Sequence, residues 1–184
     1  MIFSYSSLPS LLLPDVPQKI NPRHAAVALL LDSQQRILMI QRAEHPQDPW
    51  SGHMGFPGGG FEAQDASLRV TVERECEEEI GVSLHETAMY MGALTRMNHP
   101  RICIDAFVYT MEENQTLYPN EEVAGIYWIS LHDLCNSNNR GVIIHPFQGS
   151  EQEFPAIHLQ EIPVPIWGIS LGFIDQLFAR WRNQ

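Results

Sequence analysis

Lysine is nearly absent from this chain. Lys19 stands alone beside ten arginines, against 22 aspartates and glutamates, and the formal net charge is −11. Without a lysine-rich stripe there is no electrostatic track for a nucleic-acid backbone. The overall charge also removes any long-range attraction to a phosphate polymer or an anionic membrane. Neither nucleic acid nor membrane is therefore expected as a partner, and an anionic substrate must be attracted locally, by a bound cation or a few placed arginines. Cysteine is scarce as well: Cys76, Cys103 and Cys135 are odd in number and widely spaced. They form neither a disulfide framework nor a zinc pattern, so a reducing cytoplasm is expected. No apolar run approaches the roughly 18 residues of a membrane span. The opening MIFSYSSLPSLLLP has no basic start and is broken by Pro9 and Pro14, so it reads as an arm packing on its domain rather than as a leader. Internal repeats and low-complexity tracts are missing too.

What is present suits one domain, because 184 residues with a hydrophobic fraction of 44% can bury a continuous core. We expect an arm over residues 1–23 and a domain over 24–184. The run AAVALLLD (25–32) followed by RILMIQR (36–42) predicts two strands joined by a short turn, the first apolar on both faces as in the middle of a layered sheet. Residues 43–55 read as a loop. A helix is expected from Asp65, whose carboxylate is suited to capping, to Gly81, with Leu68, Val72, Cys76 and Ile80 as its buried ridge. Further strands are expected near 88–96, 102–110 and 123–129, a short helix near 130–135, a loop over 136–165 and an amphipathic helix over 167–181. That order predicts an α/β chain with helices packed on a mixed sheet. A homodimer stays open.

The most informative stretch is FPGGGFEAQDASLRVTVERECEEEIGV (56–82). At 100° per residue, Glu75, Glu78 and Glu79 share an arc of about 100°, while Glu77 points away to solvent. Glu79 lies at the edge of the apolar ridge and Glu75 just beside it. Carboxylates three and four apart repel by roughly 0.2–0.5 kcal/mol per pair, and those at the rim of a core are poorly hydrated. A divalent cation relieves both costs. An all-oxygen set suits Mg²⁺ or Mn²⁺ rather than zinc. The glycine turn before the helix lets backbone approach a ligand closely and offers N–H groups to phosphate oxygens.

This combination resembles the Nudix box, G-x(5)-E-x(7)-R-E-U-x-E-E-x-G-U with U aliphatic. Its second half matches as Arg74-Glu75-Cys76-Glu77-Glu78-Glu79-Ile80-Gly81-Val82, with cysteine at the first U. Two registers remain for the first half. The usual spacing places Gly60 at the glycine and Ala66 at the acid; alignment on Gly58-Gly59 places Asp65 at the acid with one extra residue before Arg74. The second register, with the loop RAEHPQDPWSGHMGFPGG (42–59), resembles the coenzyme A pyrophosphatase branch. The loop runs one residue longer, and an arginine of that signature is replaced around Gln47-Asp48. The likeness extends over roughly residues 24–182.

The resemblance implies a Nudix-type α/β/α sandwich with a mixed central sheet, and a water-mediated attack on a P–O–P bridge assisted by Mg²⁺ or Mn²⁺. The metal ligands it implies are Glu75, Glu78 and Glu79, with Glu78, Glu79, Arg74 and Glu122 as the catalytic set. Glu122 is the preferred general base over Glu121, with Glu78 or Glu79 as the alternative. Arg74 either holds the carboxylates or touches substrate, and Asp65 is either a cap or a ligand. Gly58, Gly59 and Gly60 would border the diphosphate, and Arg42, Arg96 and Arg101 are candidates for phosphate contact. His53 and His99 read as loop histidines near the site. Trp50 and Phe56 are expected in packing, with stacking on a base or pantetheine arm as the alternative. Coenzyme A or an acyl-coenzyme A, giving 3′,5′-ADP and a 4′-phosphopantetheine, is the leading substrate. ADP-ribose or a dinucleotide is the second reading, and a nucleotide sensor without catalysis is the third.

Overall fold

A computed structural model describes residues 3–13, 23–99, 102–112 and 115–182. Much of the expected arm, and the candidate Arg101, lie outside them. A short helix, α1 (Leu8–Leu11), precedes strands β1 (His24–Leu31), β2 (Arg36–Arg42), β3 (Met54–Gly55) and β4 (Gly58–Gly60). Then come α2 (Leu68–Ile80), α3 (Leu84–Thr87), β5 (Ala88–Asn98), β6 (Cys103–Met111), β7 (Val123–Ser130) and α4 (Leu131–Cys135). A hairpin of β8 (Arg140–Phe147) and β9 (Ser150–Ile157), then β10 (Ile166–Trp167) and α5 (Gly168–Arg182), complete the chain.

The described residues form a seven-stranded mixed sheet with path β3-β2-β1-β6-β5, in which β4 also pairs with β1 and β7 with β2. Strand β1 runs parallel to β6 along its whole length. On its other edge it pairs with β4 near its start and with β2 near its end, so the sheet forks there. The forked edge carries the glycines to the mouth of the site. Side chains alternate across β1 as the pleat requires. Ala26, Ala28 and Leu30 pack with Leu68, Val72, Cys76 and Ile80 of α2. Ala25, Leu29 and Leu31 pack with Leu171, Ile174, Leu177 and Phe178 of α5. The expected α/β/α layering is therefore present, with β1 buried on both faces. Phe3, Leu8 and Leu12 join the α5 layer, where Phe3 meets Trp181 at 4.9 Å between ring centroids. Leu13 extends this contact by pairing its backbone with Ala93.

Two local expectations are corrected. Asp65 does not cap α2: the cap is Ser67, whose hydroxyl accepts from Val70 N–H at 3.2 Å. The far end is as expected, with Gly81 left-handed at φ 70° and its N–H returning to the last turn, a conformation glycine adopts without steric cost. Residues 136–165, expected as loop, contain β8 and β9, which with β10 form a separate three-stranded antiparallel sheet.

Candidate active site

Helix α2 grades its carboxylates by burial in the order that helical geometry predicts. Glu79 is 2% exposed, the Glu75 side chain 14% and the Glu78 side chain 55%, and Glu77 faces solvent. The α2 ridge and the glycine strand β4 close over Glu79, whose Oε2 accepts from Gly58 N–H at 2.7 Å. Burial, only partly offset by that hydrogen bond and aggravated by the nearby Glu75 charge, pushes the Glu79 carboxyl from 4.5 up to about 8. Burial raises Glu75 also, against the pull of Arg74 and with the repulsion of Glu78 and Glu122.

Arg74 holds this arrangement. Its Nη1 is 3.0 Å from both Glu75 Oε1 and Glu78 Oε2, and its Nη2 donates to the Gly60 carbonyl at 3.1 Å. The other edge of the guanidinium grips Asp65, Nε to Oδ1 and Nη2 to Oδ2, each at 3.2 Å. Burial disfavours a charged Asp65. Hydrogen bonds from Arg74, Glu62 N–H and Thr71 outweigh it and hold the carboxyl below its ordinary range. Asp65 thus fixes Arg74, and Arg74 fixes two acids and the glycine strand. The glycines have reasons of their own. Gly58 sits at φ 144°, where any Cβ would strike the Ala26 carbonyl, and a Cβ at Gly59 would press into the Glu75 carboxylate. Gly60 has open space beside it.

These groups border an acidic cavity of about 260 Å³ lined by Arg42, Gly58, Gly59, Gly60, Glu62, Arg74, Glu75, Glu78, Glu79, Asn120 and Glu122. No histidine or cysteine lines it, and its carboxylate and carbonyl oxygens fit a hard divalent cation. Among the described residues no three acidic, imidazole or thiol side chains form a ready-made cage. Arg74 shares its single positive charge among Glu75, Glu78 and Asp65, and Glu79 is turned to the Gly58 peptide.

A second, apolar cavity of about 240 Å³ shares Arg42 and the three glycines and extends past Val27, Phe56, Ile104 and Phe173. A third, open one of about 550 Å³ lies beside Arg42, Glu44, His45, Asp48, Glu121 and Glu122. Arg42 borders all three, 3.9 Å from Glu79 Oε1. Trp50, His53 and Phe56 line the apolar cavity; Phe56 is buried and Trp50 half-buried, edge-on to His99. His53 is half-buried against Trp167, and burial, reinforced by His145, pushes its pKa down. Arg96 is not brought to the site. It pairs with Asp105 at 2.9 Å and borders none of the three cavities. Asn120, Glu62 and Asp48 were missed by sequence reasoning. Asn120 stands two residues before Glu122 and accepts that residue's N–H at 2.9 Å, an Asx turn whose signal is short and local.

A family model, the NUDIX domain, matches residues 21–146. The chain belongs to the Nudix family. It is 31% identical over 170 residues to a Yersinia enterocolitica protein described as the Nudix hydrolase NudL, covering 85% of this chain and 80% of that protein. A Schizosaccharomyces pombe protein of undetermined function is 30% identical over 149 residues, covering 66% of this chain; the chain spans about half (45%) of that relative. The Nudix domain of Shewanella oneidensis NrtR, solved in complex with ADP ribose, superposes with a TM-score of 0.53 at 22% identity, covering 90% of this chain and 91% of that one. The fold is thus the Nudix fold, and with its homologues the chain is a Nudix hydrolase. No described helix is long and apolar enough to cross a membrane.

Proposed function

We propose that the protein hydrolyses the P–O–P bridge of a nucleoside diphosphate-linked small molecule, assisted by Mg²⁺ or Mn²⁺ at Glu75, Glu78 and Glu79. The observation that carries this reading is Glu79, buried at the wall of a cavity it shares with four further carboxylates and a glycine strand. A bound divalent cation supplies neutralisation of the diphosphate oxygens and a more acidic water. The residues of the chain do the rest. The Gly58 N–H orients Glu79, and Arg74 orients Glu75 and Glu78. Gly59 and Gly60 let a diphosphate lie close to the backbone, and Arg42 faces its oxygens. Glu122, which also lines the acidic cavity, would take the proton of the attacking water.

The FPGG stretch and the apolar cavity support coenzyme A or an acyl-coenzyme A as substrate, the uncharged arm lying along Val27 and Phe56. A second reading, ADP-ribose or a dinucleotide, has its own observation: an arginine of the coenzyme A signature is replaced around Gln47-Asp48, and Asp48 pairs with Arg42 at 2.7 Å. Incubation with Mg²⁺ or Mn²⁺ and a panel of coenzyme A, ADP-ribose and dinucleotides tests both. Preferential release of 3′,5′-ADP supports the first, and preference for ADP-ribose moves the assignment to the second. Tight nucleotide binding with no cleavage of any panel member would overturn the hydrolytic reading.

A further inference from the structure

Arg42 stands where the three cavities meet, and its guanidinium is already engaged. Asp48 Oδ2 lies 2.7 Å from its Nε, and Asp48 Oδ1 accepts the Trp50 N–H at 2.9 Å. The carboxylate is thus held by the loop's own backbone and is only 16% exposed. It lines both the apolar cavity and the open one. A substrate arm leaving the acidic cavity in either direction passes beside it. We infer that Asp48 is a specificity-determining residue: by engaging Arg42 and lining both neighbouring cavities, it disfavours a phosphate beyond the bridging diphosphate, which would rank dephospho-coenzyme A above coenzyme A itself. The inference rests on the phosphoanhydride reading above, but on neither named substrate.

The physical basis is local. A phosphate group brings one to two further negative charges; the Asp48–Arg42 pair carries no net charge to attract them, and Glu44, Glu121 and Glu122 on the same open cavity repel them. Arg42 is the arginine on hand to receive such a group, and recognition by a guanidinium works best through a free two-donor edge. Asp48 takes up one side of that fork. Within each pair of substrates differing by one phosphate, the unphosphorylated member should therefore be preferred, coenzyme A and its dephospho form included.

The test is kcat/KM for wild type, Asp48→Asn and Asp48→Glu on three matched pairs: dephospho-coenzyme A and coenzyme A, NADH and NADPH, ADP-ribose and 2′-phospho-ADP-ribose. Wild type should favour the unphosphorylated member by up to about fivefold, the scale of a partly exposed charge interaction, with the gap shrinking at high salt. Asp48→Asn should bring the ratio toward unity through KM, and Asp48→Glu should keep it. A wild-type preference for the phosphorylated members, or an unchanged ratio in Asp48→Asn, would overturn the inference. If Asp48→Asn does not fold, the Asp48→Glu ratio and the salt dependence in wild type decide. Failure to cleave any pair would count against the hydrolytic reading alone. Asp48 is then read by equilibrium binding of AMP against 3′,5′-ADP: tighter AMP binding supports it, and equal or weaker AMP binding sinks it.

Discussion

Glu79 should make the metal-free protein lose stability as pH rises. Its carboxyl is raised from 4.5 to about 8 in the folded state, so the folded chain holds a proton that the unfolded chain gives up. The sign follows from linkage: stability from this group is fully present below about pH 4.5 and is lost as pH climbs through about 8. At roughly 1.4 kcal/mol per pH unit, the full span amounts to about 5 kcal/mol, and relaxation of the site brings the expected loss to about 3–5 kcal/mol. Glu79→Gln imitates the protonated form, and its amide oxygen can still accept the Gly58 N–H. Urea denaturation in excess chelator at pH 6 and pH 9, between which about 3 kcal/mol of the full span falls, isolates this group from Glu75 and the other shifted residues when wild type and variant are compared. The wild type should fall more steeply than the variant. Adding Mn²⁺ at pH 9 should restore wild type by mass action and leave the variant less affected, with turnover in the variant lower by orders of magnitude. Parallel pH dependence in the two proteins would refute the claim that Glu79 holds a buried proton near neutrality.

Three further outcomes are expected. Asp65→Asn, which leaves Arg74 to Glu75 and Glu78 alone and weakens the charge-assisted hydrogen bonds at that position, should cost about 1.5–3 kcal/mol, against about 1 kcal/mol for Ser67→Ala at the α2 cap; denaturation midpoints compare them, and the reverse order would return the capping role to Asp65. Gly59→Ala should displace the Glu75 carboxylate and weaken Mn²⁺ binding, read by electron paramagnetic resonance, while the circular dichroism of the fold is unchanged; undiminished affinity would remove Glu75 from the ligand set. Glu122→Gln should lower kcat by about 10²–10⁴ at saturating Mg²⁺, and near-normal kcat would pass the base role to Glu78 or Glu79.

The central strand and the acidic helix were legible because each repeats a pattern long enough to average out local accidents. Strand β1 is apolar at nearly every position, and α2 shows a four-residue ridge ending in glycine. The α2 cap was misread for a definite reason. Asp65 and Ser67 are both good caps in isolation, and only the folded chain shows that Arg74 and Thr71 claim Asp65. The usual reinforcing Glu or Gln three residues after the cap is Val70 here. The β8–β9 hairpin was hidden by Pro146 and Pro155 and by its exposure on both faces. Val142 and Ile144, on one face of β8, are 52% and 64% exposed, while Ile143 and His145 on the other are only half-buried, so apolar character does not track burial along the strand. The apolar cavity draws on Val27, Phe56, Ile104 and Phe173, a collection that no spacing rule unites. Arg96 looked like a phosphate ligand because its acid, Asp105, is contributed by the neighbouring strand.

The loop carrying Asp48 leaves β2 at Arg42 and returns at β3, and these two strands pair directly, Ile40 with Gly55 and Gln41 with Met54. Its two feet are therefore clamped about 4.8 Å apart, whatever lies between them. Residues 44–53 can be lengthened, shortened or recharged without moving Glu75, Glu78 and Glu79, which hang from α2 on one face of the sheet. Such a layout lets descendants of one ancestor trade diets while inheriting the same teeth.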